Sequence, residues 1–182
     1  MKYLKKIVWV FDLDNTLVMT DVANNNAYQE AICACMGRKM IFKQNRFTRN
    51  DLYKLFPSLP ESLHNEIIKI KESVFSQHLK ETSLNKQLIK ILVLLKKCGG
   101  ETVLLTESHK KKVMQVFDHY QLTPLFNRVF CKEDYKTMNK YQFLKEIVPD
   151  IQSVVLFEND NEELNRAVQY GLQDNQLITI KF

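Results

Sequence analysis

The sequence predicts an α/β fold, a doubly wound parallel sheet with a small helical block inserted after the first strand. Short apolar runs of strand length alternate with stretches of helical period, the pattern of a parallel sheet covered by helices on both faces. Residues 19–82, between the first strand-like run and the next, carry helical spacing and no strand-like alternation. Acids or hydroxyls close several of the strand-like runs, and in sheets of this class ligands bind at the carboxyl ends of the strands.

The chain of 182 residues, 45% hydrophobic and 26% charged, is long enough for one buried core and a small subdomain. Four glycines and four prolines leave no room for a low-complexity linker. The net charge of +5 is compatible with anionic substrates and falls short of a nucleic-acid signature. No stretch reaches membrane-spanning length, and the N-terminal apolar run is too short for a signal-peptide core, so a cytoplasmic location is expected. Cys33, Cys35, Cys98 and Cys131 show no C-x-x-C pair and read as reduced core thiols.

The first strand is Ile7–Val10, IVWV, running into Phe11–Thr16, FDLDNT. Asp12 and Asp14 are spaced i, i+2 where the strand ends, which brings both carboxylates into one small volume. Two such groups repel unless a cation or proton lies between them, and oxygen ligands at this spacing suit Mg²⁺ with a phosphorylated substrate. The chemistry available is attack of Asp12 on phosphorus, with Asp14 handling the leaving-group proton. A strand followed by an Asx-type turn, both acids solvated, is the plain structural alternative.

Residues IVWVFDLDNT resemble motif I of the haloacid dehalogenase-like (HAD) superfamily, here of its capped phosphatase and β-phosphoglucomutase-like branch. The resemblance implies that Asp12 is the nucleophile, that Asp14 is the general acid/base, and that the helical block is a cap. The core is then expected over 1–18 and 83–182, with the cap over 19–82.

Within that block, a helix is expected from Thr20 or Asp21 to about Met36, with Gly37 at its exit. Thr48 and Asp51 form a capping-box pattern opening a short helix before Pro57. Glu61–Leu79 carries Leu63, Ile67, Ile70, Val74 and Leu79 at helical spacing. Lys43, Arg46 and Arg49 make a basic cluster that could reach an anionic substrate.

Ser83–Lys97 reads as a helix with Leu84, Leu88, Ile91, Leu92 and Leu95 inward. Val103–Leu105 follows as a strand leading into Thr106-Glu107-Ser108 and a helix ending near Tyr120. A hydroxyl beside the N–H groups that open a helix is a phosphate-binding arrangement, though either hydroxyl could equally be an N-cap. The position resembles HAD motif II, which implies phosphate binding by Thr106 with Glu107 beside it as a departure. The run Lys110–Lys112 reads as a solvated helix face, with a phosphate-facing patch as the other reading.

Arg128–Cys131 is the third strand of the expected sheet. Lys140, opening a helix over Tyr141–Val148, resembles HAD motif III and would hold phosphoryl charge; Lys136 is the other candidate. Ser153–Phe157 is the next strand, and its loop Glu158-Asn159-Asp160 resembles motif IV in altered form. Asn159 stands where a metal-binding Asp is expected, so the implied Mg²⁺ ligands are Asp12, Asp14 and either Asn159 or Asp160. Leu177–Phe182 closes the sheet at an edge.

The function expected is Mg²⁺-dependent hydrolysis of a small phosphorylated metabolite through a phosphoaspartate. A phosphomutase, or a catalytically degenerate phosphate- or partner-binding member, is the alternative. A flavodoxin-like receiver also pairs acids at strand ends but needs no helical insertion. No nucleic-acid or membrane partner is expected, and the chain is expected to be a monomer or weak dimer.

Overall fold

The computed structural model describes residues 7–42 and 46–181. They form two compact units, one holding the residues up to Val18 and from Leu84 onward, the other Met19–Ser83.

The first unit is built on a parallel sheet of five strands: β1 (Val8–Phe11), β4 (Glu101–Leu105), β5 (Arg128–Phe130), β6 (Val154–Glu158) and β7 (Leu177–Thr179). Their spatial order is β5-β4-β1-β6-β7. All four pairings are parallel, so every strand ends at the same rim. β1 is central, aligned through Phe11 with Leu104 on one side and Phe157 on the other. Parallel strands buried on both faces are continuously apolar, which is why Val8, Val10, Val103, Leu105, Val154 and Leu156 fall in one core with Tyr135, Tyr141 and Leu144. On the other face Phe11 stacks on Phe157 with ring centroids 4.4 Å apart.

Helices α4 (Lys86–Lys97), α5 (Lys110–Tyr120), α6 (Lys132–Tyr135), α7 (Lys140–Ile147) and α8 (Asn161–Gln169) connect these strands. α4 begins three residues later than its apolar spacing predicts. Ser83–Leu84 is strand β3, paired with β2 (Val18–Met19), and Asn85 then caps the helix by accepting from the Leu88 N–H at 3.1 Å. Leu88 and Leu92 are its buried positions, whereas Ile91 is 43% exposed, so the inward stripe is narrower than expected. Gly100 closes this helix tightly against β1, since a Cβ there would meet the Leu95 carbonyl at 2.9 Å and the Trp9 ring at 3.3 Å.

The second unit contains α1 (Asp21–Met36), α2 (Arg49–Leu55) and α3 (Glu61–Val74), the last continued by a 3-10 helix, Phe75–Glu81. The single helix expected over Glu61–Leu79 thus tightens into a 3-10 segment after Val74. Thr48 and Asp51 form the expected capping box, and Gly37 leaves α1 in the left-handed region at φ 65°. Thr20 precedes α1 without capping it, its hydroxyl accepting from Arg46 instead. Tyr28, Ala31, Ile32, Phe47, Leu52 and Ile67 make this unit's own core.

All four cysteines are free, but only Cys131 is buried in the core; Cys33 and Cys35 are half-buried and Cys98 is exposed at the end of α4. No helix among the described residues is long and apolar enough to cross a membrane.

Candidate functional site

The central position of β1 decides what gathers at the sheet's carboxyl rim. Asp12 follows Phe11 directly, and its N–H donates to the Phe157 carbonyl at 3.0 Å, one residue before Glu158. Thr106 follows β4 on the other side, its N–H donating to the Phe130 carbonyl at 3.1 Å. Asp12, Thr106 and Glu158 are therefore set side by side by three neighbouring strands. All three are buried.

The loop after Asp12 turns at once. Asn15 adopts φ 57°, a region Asn tolerates better than most residues. The turn returns the chain so that Asn15 N–H donates to Val18 at 2.7 Å, and Thr16 becomes fully buried. Thr16 Oγ1 then donates to Asn159 Oδ1 at 3.0 Å, tying the β1 loop to the β6 loop.

Lys140 is the cation of this rim. Asn139 caps α7 by accepting from the Tyr141 N–H at 2.8 Å, which places Lys140 on the first turn with its side chain buried. Its Nζ stands 2.8 Å from Glu158, 3.1 Å from Glu163 and 3.8 Å from Asp12. Lys136, the other candidate, is exposed. Burial would lower the Lys140 pKa, but Asp12 and Glu158 hold it raised. Asp12 is pushed well above the ordinary carboxylate range by burial and by Glu158, against the pull of Lys140.

Asp14 has both oxygens engaged from the β4–α5 segment. Ser108 Oγ donates to one and the Lys112 ammonium pairs with the other. Lys112 is thus turned inward while Lys110 and Lys111 remain exposed, so the basic run is only partly the solvated face its sequence suggested. Thr106 Oγ1 accepts from the Ser108 N–H at 3.2 Å.

Glu107 and Asp160 lie differently from the rest. Glu107 is exposed and pairs with Lys132 at 2.5 Å. Asp160 caps α8, its Oδ1 accepting from the Glu162 and Glu163 N–H groups at 2.7 and 3.3 Å. Helix α5 is capped neither by Thr106 nor by Ser108; it starts two residues later, with His109 as its N-cap residue.

Residues 9–152 match the family model for haloacid dehalogenase-like hydrolases. The chain belongs to the haloacid dehalogenase-like hydrolase family. No curated protein matches it in sequence. Among solved structures of similar fold is a mutant of CbbY from Rhodobacter sphaeroides in complex with xylulose-(1,5)bisphosphate, at TM-score 0.77 and 14% identity, covering 92% of this chain and 84% of that one. A haloacid dehalogenase-like hydrolase from Streptococcus pneumoniae is similar at TM-score 0.76 and 15% identity, over 97% of this chain and 85% of that one. A candidate β-phosphoglucomutase from Thermotoga maritima is similar at TM-score 0.68 and 16% identity, over 97% and 86%. Such identities establish the shared fold: an α/β core with an inserted helical region.

Membership in this hydrolase family raises the question of a metal. Among the described residues no three His, Cys, Asp or Glu side chains are grouped to hold one. Asp12 and Asn159, which lie at the ends of the paired strands β1 and β6, nevertheless carry oxygen donors of the hard kind. Three carboxylates, Asp12, Glu158 and Glu163, also crowd the single ammonium of Lys140. The Asp12 pKa is raised first by burial and then by Glu158, against the pull of Lys140. The chemistry of these donors suits a hard divalent cation, with one fewer charged ligand than Asp at 159 would give.

Glu158 and Glu163 are the rim residues whose part sequence reasoning understated. Glu158 Oε1 accepts from the Asn159 and Asp160 N–H groups at 3.0 and 3.2 Å while Oε2 takes Lys140. Its position as the last residue of an apolar strand was the available signal. Thr16 and Lys112 carried none, because a threonine after a turn and a lysine in a basic run are ordinary at the surface.

Proposed function

We propose that the protein is a Mg²⁺-dependent phosphoric-monoester hydrolase that acts on a small phosphorylated metabolite through a phosphoaspartate. The observation that carries this reading is Asp12 at the end of the central strand, with Lys140 Nζ 3.8 Å from its carboxylate and Thr106 on the neighbouring strand. A nucleophile, a fixed cation and a hydroxyl at a strand end are what phosphoryl transfer asks of a protein, since that chemistry depends on positioning and charge stabilisation.

In the first half-reaction an Asp12 oxygen attacks phosphorus and the ester P–O bond breaks. Asp14 gives its proton to the leaving alkoxide. Lys140 and Thr106 hold the phosphoryl oxygens. In the second half Asp14 takes a proton from water, the water oxygen attacks phosphorus, and Asp12 leaves as a carboxylate with inorganic phosphate released. Dividing one slow displacement into two easier ones is the general advantage of covalent catalysis. Mg²⁺ would be held by Asp12, the Asp14 carbonyl and Asn159 or Asp160, and would supply positive charge against the phosphoryl oxygens. Lys112 and Ser108, which both contact the Asp14 carboxylate, would hold it in position for this role.

A second reading, a phosphate-binding member without turnover, is favoured by the neutral Asn159 and by the use of Asp160 as a helix cap. Hydrolysis of a panel of sugar phosphates, nucleotides and small phosphoesters with and without Mg²⁺ separates the two. Release of phosphate that depends on Asp12 supports the hydrolase; phosphate binding with no turnover of any ester supports the alternative.

A further inference from the structure

Five consecutive residues, Thr106 to Lys110, each make a contact with the short helix α6. The Tyr135 hydroxyl donates to the Thr106 carbonyl at 3.0 Å. Lys132 Nζ pairs with Glu107 at 2.5 Å, and the Lys132 N–H donates to the Ser108 carbonyl at 3.1 Å. Glu133 uses both oxygens: one faces His109 Nδ1 at 3.0 Å and the other accepts from the Lys110 N–H at 3.0 Å.

These contacts serve a need that the segment cannot meet itself. The first N–H groups of a helix have no intrahelical partner, and His109, which precedes α5, supplies no side-chain cap. Glu133 caps α5 from another element and brings negative charge to the positive end of the helix. The N–H groups of Lys110 and Glu133 and the His109 ring hold the Glu133 pKa below its ordinary value, against the opposing effect of burial. Helix α6 is itself held by Asp134, which accepts from the Cys131 N–H at 2.7 Å. The chain leaves α6 through Lys136 at φ 47° and reaches Lys140 four residues later. One four-residue helix thus contacts the Thr106 segment and leads, along the chain, into Lys140.

We propose that α6 is a clasp that sets the working position of the Thr106–Lys110 segment, and that Glu133 is its principal positioning residue. Glu107 then belongs to the clasp and not to the phosphate site, which accounts for an acidic side chain beside a group meant to bind an anion. Its pairing with Lys132 is half exposed and weak by itself. Glu133 is as exposed, and it is the stronger element only because one carboxylate joins a side chain and a main-chain N–H in adjacent residues.

The inference rests on Thr106 being a phosphoryl ligand, and the test separates the two claims. Glu133→Ala and Glu133→Gln are compared with wild type for inorganic phosphate affinity in Mg²⁺, for KM against kcat on any ester turned over, and for amide exchange at Ser108–Lys112. Glu133→Ala is expected to weaken phosphate roughly tenfold, the equivalent of one lost interaction, and to speed exchange at those amides by a similar factor. Glu133→Gln keeps an acceptor for the Lys110 N–H and is expected to recover most of both. A Glu133→Ala protein with wild-type phosphate affinity and wild-type exchange overturns the clasp. Faster exchange with unchanged phosphate affinity also overturns it, because α6 would then only brace the fold. If the wild type binds no phosphate and cleaves no ester, the hydrolase reading fails, and unchanged exchange in Glu133→Ala would remove the clasp separately.

Discussion

Lys140 Nζ lies 2.8 Å from Glu158, and both side chains are 2% exposed. The pair is buried where two different chain segments, the start of α7 and the end of β6, meet, with Lys140 Nζ 3.8 Å from the Asp12 carboxylate. Removing one member of a buried pair strands the other, at a typical cost of about 3–5 kcal/mol.

Lys140→Met is therefore expected to destabilise by about that amount, measured by denaturant unfolding. Lys140→Met with Glu158→Gln should recover a large part of the loss, because the second change removes a stranded charge. Equal losses in the single and double variants would place the coupling elsewhere.

Asp12→Asn should abolish turnover while the fold stays intact. It should also raise stability at neutral pH when a chelator removes metal. The sign follows from the raised Asp12 pKa: an acid that holds its proton more tightly when folded favours folding below its unfolded pKa and loses that stability as pH rises toward the folded value. The difference in melting temperature between Asp12→Asn and wild type should be positive at pH 7 and close below about pH 4, near the unfolded Asp pKa. A difference that stays flat across that window would show that Asp12 is not held protonated by burial.

Asp14→Asn should slow alkyl phosphates far more than aryl phosphates, since general acid assistance is worth roughly 10²–10⁴-fold and matters most for poor leaving groups. Steady-state kinetics on the two substrate types checks it. Equal losses would assign Asp14 to orientation alone.

Asn159→Asp should bind Mg²⁺ more tightly by calorimetry and raise activity at limiting metal. Asp160→Ala should leave Mg²⁺ affinity unchanged and cost about 1 kcal/mol of stability through loss of the α8 cap. A loss of metal affinity in Asp160→Ala would place the ligand at 160.

The strands and the rim were legible in the sequence because parallel strands buried on both faces leave apolar runs, and because an acid or hydroxyl interrupting such a run is conspicuous. Asp12 and Thr106 follow from that rule, and Glu158 carries the same signal in weaker form. The partners were not legible. Lys112 could not be told from Lys110 and Lys111, because which lysine turns inward depends on helical phase against a distant loop. The start of α4 was placed too early because Ser83 and Leu84 fit a helical spacing and are drawn into a two-strand pairing that only tertiary structure reveals. Arg46 and Arg49, read as available to an anion, pair with Asp21 and Glu72 of their own unit at 3.0 and 3.4 Å. Lys43, the third member of that cluster, lies outside the described residues.

The chain holds a single tryptophan, Trp9, and it sits on β1 three residues before Asp12. Its ring lies 6.2 Å from that of Phe157 and against the backbone at Gly100. The protein thereby carries a built-in optical reporter on the strand that leads into Asp12. Emission from one known indole is expected to follow the packing between β1 and β6 without any label, and stopped flow on the native chain would read it.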